Sequence, residues 1–201
     1  MSSRTLDPTT ALIITGGILA GALLTQAPVS AHSGQGAYGV GTGLLHPISG
    51  ADHLLAMVAV GIVAAIAGTR RIAILTPAAF LLGLVVGGVL SMASPAISGV
   101  EVAVSLSVFA LGVLCLAGLR RATLLLPVTA AAFGLAHGQA HGAEIPLGAS
   151  PITYVIGFLA TSALLHLAGG IGGIALRNSH RSRILAGALI TGAGAAALLG
   201  V

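Results

Sequence analysis

The chain has 201 residues, of which 56% are hydrophobic and 6% are charged, and its formal net charge is +4. Soluble domains carry about 25% charged residues, so this composition excludes an ordinary soluble protein and predicts an all-α, polytopic membrane protein. The arginines stand between apolar runs rather than in a basic patch with aromatic residues, which argues against a nucleic-acid partner. One cysteine, Cys115, cannot form an internal disulfide.

The first 31 residues have the organisation of a secretory signal peptide. Arg4 precedes the apolar run ALIITGGILAGALL, and the segment APVSA then ends in small residues at Ala31. We expect cleavage after Ala31, with an uncleaved first helix as the alternative. Residues 32–201 then form one transmembrane domain. Its N-terminal His32 offers an amine and an imidazole as a chelating pair for metal capture.

Six apolar runs follow the signal peptide and are separated by short polar breaks. Each run is close to the length of about 20 residues that crosses a bilayer as a helix. Strands are not expected, because the runs lack period-2 alternation and backbone groups in hydrocarbon must pair within their own segment. The predicted spans are 44–67, 72–93, 98–118, 122–141, 151–175 and 183–200.

The arginines beyond the signal peptide fix the orientation of these spans. They lie in alternate breaks, at residues 70–71, 120–121 and 177–183, and the intervening breaks contain none. Arginine-rich loops of membrane proteins stay on the cytoplasmic side. We therefore expect a bacterial inner-membrane protein with its mature N-terminus in the periplasm, which a cleaved signal peptide also requires.

Small residues are spaced for close packing between helices. Such G-x-x-x-G faces let helix backbones approach each other. An inverted repeat of three plus three spans is disfavoured, because GLLHP and GLAHG, the two segments that look alike, both fall on the outer side. The small pairs are Gly83 with Gly87, Gly134 with Gly138, Gly169 with Gly173, and Gly61 with Ala65.

Most ionisable side chains converge on the arginine-free side of the predicted bundle. An unpaired carboxylate at the bilayer centre costs roughly 2.5–3.5 kcal/mol, so such groups face the interior and are functional by default. His166 lies alone beyond the midplane of the fifth span, and His180 lies among the cytoplasmic arginines. The converging set is His46, Asp52 and His53 in the first span, Glu101 at the start of the third, and His137, His141 and Glu144 at the end of the fourth.

The local spacing of these residues refines the set. In HGQAHGAE (137–144), the histidines and the glutamate stand at i, i+4 and i+7, which places them on one helix face. In LLHPISGADHLLAM (44–57), proline suits the first turn of a helix, so we expect the helix to start near Pro47 with His46 at its tip. These residues can also have purely structural roles. Asp52 can pair with His53 or cap a neighbouring helix, and the outer histidines can simply be solvated.

The donor set indicates the class of ligand. Imidazole and carboxylate without a nearby thiolate suit first-row divalent metals, whereas calcium and magnesium favour sites built from oxygen alone. Metal binding requires neutral imidazole, so affinity should fall as the pH drops. A proton relay is the alternative, because histidine titrates near neutral pH.

The segment HPISGADHLLAMVAVG resembles the H-P-x-x-G-x-D-H-x-x-x-M-x-x-x-G signature of the HupE/UreJ family, and HGQAHGAE resembles that family's fourth-span pattern. The resemblance extends over essentially the whole chain. It implies a nickel permease, with cobalt as a second cargo, that serves hydrogenase or urease maturation. It also implies transport roles for His46, Asp52, His53, His141, Glu144, Glu101 and Phe80, and its signature further matches Pro47, Gly50, Met57 and Gly61.

The sequence therefore predicts a secondary transporter of divalent metal ions rather than an enzyme, with no prosthetic group. The ion leaves inward past His166, with Met57 and Phe80 as weaker pathway residues. The chain lacks the G-x-x-x-x-G-K-[ST] phosphate loop. The alternatives are a metal-binding accessory or sensor protein without flux, and an intramembrane metalloenzyme, although the H-E-x-x-H glutamate is missing. Assembly into a homo-oligomer is left open.

Overall fold

A computed structural model describes residues 39–93, 97–118, 124–145 and 148–200. The predicted signal peptide and His32 lie outside these residues. The described part of the chain is helical and contains no strand. Its helices are α1 Val40–Ser49, α2 Ala51–Ile66, α3 Arg70–Ala93, α4 Val100–Ala117, α5 Leu125–His141, α6 Pro151–Leu176 and α7 His180–Leu199, with a 3₁₀ turn at Gly142–Glu144.

The predicted bundle of membrane helices is confirmed, but its count of six spans is not. Within the described ranges, α3, α4, α6 and α7 are each long and apolar enough to cross a membrane, and the bent pair of α1 and α2 adds a fifth span only if the pair is one broken span and not a re-entrant loop. Helix α5 has 17 residues. At 1.5 Å per residue it is about 25 Å long, against a hydrocarbon core of about 30 Å.

The predicted first span, 44–67, is two helices rather than one. Helix α1 continues through His46 and Pro47 to Ser49, so the expected helix start near Pro47 is wrong. The chain then bends by 83° at Gly50, which has φ −102° and ψ 124°. A proline within a helix removes one backbone hydrogen bond and crowds the preceding turn, and glycine readily takes the extended conformation that follows.

Helix α2 lies at the centre of the bundle. Every one of its residues from His53 to Ile66 is buried, and it packs against α3, α4 and α6. A helix that is apolar on all sides is stable only when neighbours cover it completely. The fold therefore places the imidazole of His53 inside protein and not against lipid.

Glycine faces set the closest helix contacts, as the sequence predicts. A methyl group at Gly83 of α3 or at Gly134 of α5 would overlap a backbone carbonyl of the facing helix. The same holds between α2 and α6, at Gly61 and Gly169. These pairs of backbones are in direct contact, so their side chains project sideways into the remaining space of the bundle.

The glycine contacts predict a difference between two alanine substitutions. Gly134→Ala should destabilise the protein by about 1–3 kcal/mol, the usual cost of overpacking, because its new Cβ overlaps the Phe80 carbonyl. Gly192→Ala on α7 has open space around the new Cβ and should be neutral or stabilising. The thermal midpoint of the detergent-solubilised protein measures both. Equal midpoints in the two variants would contradict the packing described.

Candidate metal site

Two histidines and a glutamate meet at one end of the bundle, which we call the histidine end. His141 Nδ1 lies 2.7 Å from Glu144 Oε2, and His46 Nε2 lies 3.2 Å from the same oxygen. An ionised carboxylate only accepts hydrogen bonds, so both imidazoles donate an N–H to it. The hydrogen bonds from His141 and His46 hold the pKa of the Glu144 carboxyl well below its usual range. Glu144 therefore stays negatively charged in mildly acidic solution.

A second group lies deeper in the bundle and shares His141 with the first. The ring centroids of His53 and His141 are 4.0 Å apart, and the Nδ1 atoms of His53 and His137 are 3.1 Å apart. In each of the two groups, His46–His141–Glu144 and His53–His137–His141, the candidate ligand atoms lie within 4.8 Å of one another. The side chains thus form a continuous row from the rim into the core.

Ser107 of α4 fixes the protonation of the deeper histidines. Its hydroxyl donates to the Val104 carbonyl at 2.6 Å, so it has no second proton and must accept from His137 Nε2 at 2.8 Å. His137 then presents a lone pair at Nδ1, which accepts from His53 Nδ1. The chain of hydrogen bonds ends at His53 Nε2, which is left as a lone pair.

Two imidazole lone pairs in this row have no hydrogen-bond partner. His53 Nε2 and His141 Nε2 are both buried and unpaired. A buried polar atom without a partner costs about 1–3 kcal/mol. A divalent cation that accepts electron density from both nitrogens would remove that cost, because neutral imidazole is a common metal ligand.

Two of the predicted acidic residues lie outside both groups. Asp52 Oδ1 accepts from the backbone N–H of His53 at 2.8 Å, so it satisfies a free N–H in the first turn of its own helix, α2, and does not cap a neighbouring helix. Glu101 is exposed in the first turn of α4. Among the described residues, neither belongs to a cluster of candidate ligand atoms.

The three predicted pathway residues are all buried. Met57 lies on α2 one turn below His53 and, like Phe80, has no exposed surface. The Phe80 ring neighbours two imidazoles, and its centroid lies 5.4 Å from that of His137 and 5.3 Å from that of His166. His166 is only 4% exposed. The row of polar groups is therefore continued towards the other end of the bundle by an aromatic ring.

Sequence reasoning missed the residues that support the histidines. Ser107 is a polar residue in the apolar stretch VSLSVFALG, and that contrast was its only signal. Tyr154 and Phe158 of α6 lie beside His46, with ring centroids at 5.9 Å and 5.3 Å. Aromatic residues make up only 3% of the chain, so two of them one turn apart on α6 were a second usable signal.

The sequence matches the HupE / UreJ protein family over residues 19–197. It is also 38% identical over 182 residues to Protein HupE of Rhizobium leguminosarum bv. viciae, in an alignment that covers 89% of this chain and 94% of that protein. No solved structure matches the chain. Because both matches cover most of its length, this chain belongs to the HupE/UreJ family.

Proposed function

We propose that this membrane protein is a permease that carries Ni²⁺, with Co²⁺ as a second cargo, into the cytoplasm for the maturation of hydrogenase or urease. The protein would lie in the bacterial inner membrane, with its mature N-terminus and its histidine end in the periplasm. The other end, where Arg70, Arg177 and Arg183 lie, we call the arginine end, and it would face the cytoplasm. The ion is the substrate, and the proposal includes no prosthetic group.

The observation that carries this proposal is the sharing of His141 by two groups of candidate ligands. The outer group contains the partly exposed Glu144 and lies at the rim, and the inner group is completed by the buried His53 and His137. An ion held at the rim can exchange ligands around His141 and enter the core. A metal site that only stores its ion needs one closed ligand set, and two overlapping sets favour passage.

The chemistry of the donors favours nickel and cobalt over harder ions. Both groups consist of imidazole nitrogens, with one carboxylate at the rim, which suits first-row divalent metals. The thiol of Cys115 is not available to the ion, because it lies 3.8 Å from the Arg183 carbonyl at the arginine end. Binding without thiolate is weaker, which suits an ion that must be released.

The driving force needs no nucleotide. For a doubly charged ion, an inside-negative potential of about 100 mV favours inward movement by about 4.6 kcal/mol. That free energy corresponds to an accumulation of about three orders of magnitude. The membrane potential alone therefore supports uptake from trace concentrations.

The other functions considered from the sequence predict different behaviour. A sensor or accessory protein would bind metal without moving it, and an intramembrane metalloenzyme would turn over a substrate at the bound ion. Uptake of radioactive nickel into vesicles separates both from a permease, because only a permease moves the label across the membrane.

The shared ligand gives the first test of transport. His141→Ala removes a member of both groups and should abolish uptake of trace ⁶³Ni²⁺ into proteoliposomes. The matched control is His180→Ala, because His180 is exposed at the arginine end and contacts Arg183 instead of the cluster. It should transport as the wild type does. Normal uptake by His141→Ala would remove the two groups from the pathway.

The supporting hydroxyl gives a second test. Ser107→Ala leaves the His137 N–H without its acceptor, and the loss of such a support lowers metal affinity about 10–100-fold. The half-saturating nickel concentration for uptake should rise accordingly. Ser105→Ala, on the same helix two residues away, should leave it unchanged. If the two alanine variants have the same half-saturation, Ser107 has no part in positioning His137.

A further inference from the structure

Two of the close helix contacts have the same backbone geometry. A methyl group at Gly134 of α5 would overlap the Phe80 carbonyl of α3 and then approach the amide nitrogen four residues further on. A methyl group at Gly61 of α2 would overlap the His166 carbonyl of α6 and again approach the amide nitrogen four residues further on. Helix α2 is therefore placed against α6 as α5 is placed against α3.

The facing glycines of the same helix pairs keep this register. Two glycines of α3 meet two carbonyls of α5, and two glycines of α6 meet two carbonyls of α2, with a spacing of four residues on every helix. A constant shift in residue number relates α3 to α6, and another relates α5 to α2. The contacts are Gly83 on Ala131 and Gly87 on Leu135 in the first pair, and Gly169 on Val58 and Gly173 on Ile62 in the second.

The two remaining long helices, α4 and α7, contact each other reciprocally. A methyl group at Gly112 of α4 would meet Thr191 of α7, and a methyl group at Gly187 of α7 would meet Leu116 of α4. The shift from Gly112 to Gly187 equals the shift from Leu116 to Thr191. The pair therefore maps onto itself when the two helices are exchanged, as a two-fold axis between them requires.

The relation is inverted with respect to the membrane. Helix α2 begins near the histidine end and leads to Gly68, beside Arg177, whereas α5 ends at His141 in the histidine end. The segments α2–α4 and α5–α7 thus form an inverted repeat, the arrangement of many secondary transporters. The sequence disfavoured it because GLLHP and GLAHG share one side, but GLLHP belongs to α1, which precedes the repeat.

The repeat gives the bundle a cavity at each end of the contact between α3 and α6. The cavity at the histidine end has a volume of about 80 Å³ and borders His141 of α5. The cavity at the arginine end has a volume of about 470 Å³ and borders Gly61 of α2 and His166 of α6. The first cavity is lined by α3, α5 and α6, and the second by α2, α3 and α6. Because α2 is the equivalent of α5 in the repeat, the two cavities are equivalent positions.

Phe80 and His166 are the equivalent residues at the centre. They supply the two carbonyls that face Gly134 and Gly61, and their rings are 5.3 Å apart. The centroid of the Phe80 ring also lies 5.4 Å from that of His137 of the deeper ligand group. The Phe80 ring therefore neighbours both a residue of the deeper ligand group and His166.

His166 has a free lone pair at this position. Its Nδ1 lies 2.6 Å from the Ser162 carbonyl, which can only accept, so Nδ1 carries the proton and Nε2 is an unprotonated donor of electrons. Nε2 is buried without a hydrogen-bond partner, and the residue borders the larger cavity. Arg70 and Arg177 border the same cavity, and their positive charge weakens the binding of a cation there.

We propose that His166 Nε2 is the inward-facing ligand of an alternating-access pathway, and that the Phe80 ring is the barrier between it and the histidine cluster. This inference rests on the proposed permease function. One imidazole ligand and two neighbouring arginines make a weak site, which releases the ion into the arginine-end cavity. The inverted repeat supplies the second conformation, in which the outer and inner cavities exchange their sizes.

Chemical footprinting of the unmodified protein tests the ligand. Diethylpyrocarbonate modifies unprotonated imidazole nitrogens, and peptide mass spectrometry reports the rate at each histidine of the full chain in detergent. Nickel should slow the modification of His166 about ten-fold when it occupies about nine-tenths of the sites. The rate at His180 should not change. Protection of His53 and His141 without protection of His166 overturns the proposal and leaves the permease function standing.

A cysteine substitution tests direct ligation. In a Cys115→Ala background, His166→Cys should give a thiolate-to-metal charge-transfer band on addition of Co²⁺, because thiolate is a strong ligand for soft and borderline metals. His180→Cys is the control and should give none. The absence of the band from His166→Cys would show that the ion does not reach this position.

Substitutions of Phe80 test the barrier. Phe80→Ala should open the space between the deeper histidines and His166 and produce an ionic conductance in planar bilayers, whereas Phe80→Leu, which keeps a large apolar side chain there, should not. Phe133→Ala on α5 is the control, because it removes a phenyl ring that is not beside His166. It should show no conductance. If Phe80→Ala shows no conductance, although its elution profile and nickel footprint match the wild type, Phe80 is not the barrier. Absence of uptake by the unmodified protein would instead reject the permease function itself.

Discussion

A neutral imidazole carries one N–H donor and one lone pair, and an apolar helix bundle must place both. In this protein, the donors of the deeper histidines are satisfied by a chain of hydrogen bonds. The Val104 carbonyl, the Ser107 hydroxyl, His137 and His53 form one directed chain of hydrogen bonds. Because every N–H of this chain has an acceptor, the unpaired positions are lone pairs and not protons. The deeper histidines therefore present lone pairs to a Lewis acid, and this group of ligands contains no carboxylate.

The position of the single carboxylate in the row follows from the same constraint. Glu144 lies in the turn after α5 and is half exposed, so its charge is solvated and is also held by two imidazole donors. A carboxylate deeper in the bundle would bind a divalent ion more tightly and would cost several kcal/mol when the ion left. In the proposed function, this change from a charged rim to a neutral core would favour capture of the ion at the surface and weak binding inside.

The sequence predicts the parts of this site that depend on local spacing. The pairing of His141 with Glu144 follows from their separation by three residues on a helix that ends there, and the glycine faces follow from small residues four apart. Composition and long apolar runs were enough to predict the helical bundle. The contact between His53 and His137 joins residues 84 positions apart, and the bend at Gly50 redirects α1. The first depends on tertiary packing, which local patterns do not encode, whereas the second has a local cause in Pro47 and Gly50. The inverted repeat was also hidden, because its equivalent residues at the centre, Phe80 and His166, differ in chemistry.

A hydrogen bond attaches α1, and with it His46, to α6. Thr161 of α6 donates to the Leu44 carbonyl at 2.8 Å, so α1 and His46 move with α6, while His141 and His137 move with α5. Each ligand group therefore draws its members from both of the glycine-packed helix pairs. In the proposed function, a cation held in either group would join the two helix pairs. Release of the ion would remove that link, and occupancy would then influence which conformation the bundle adopts.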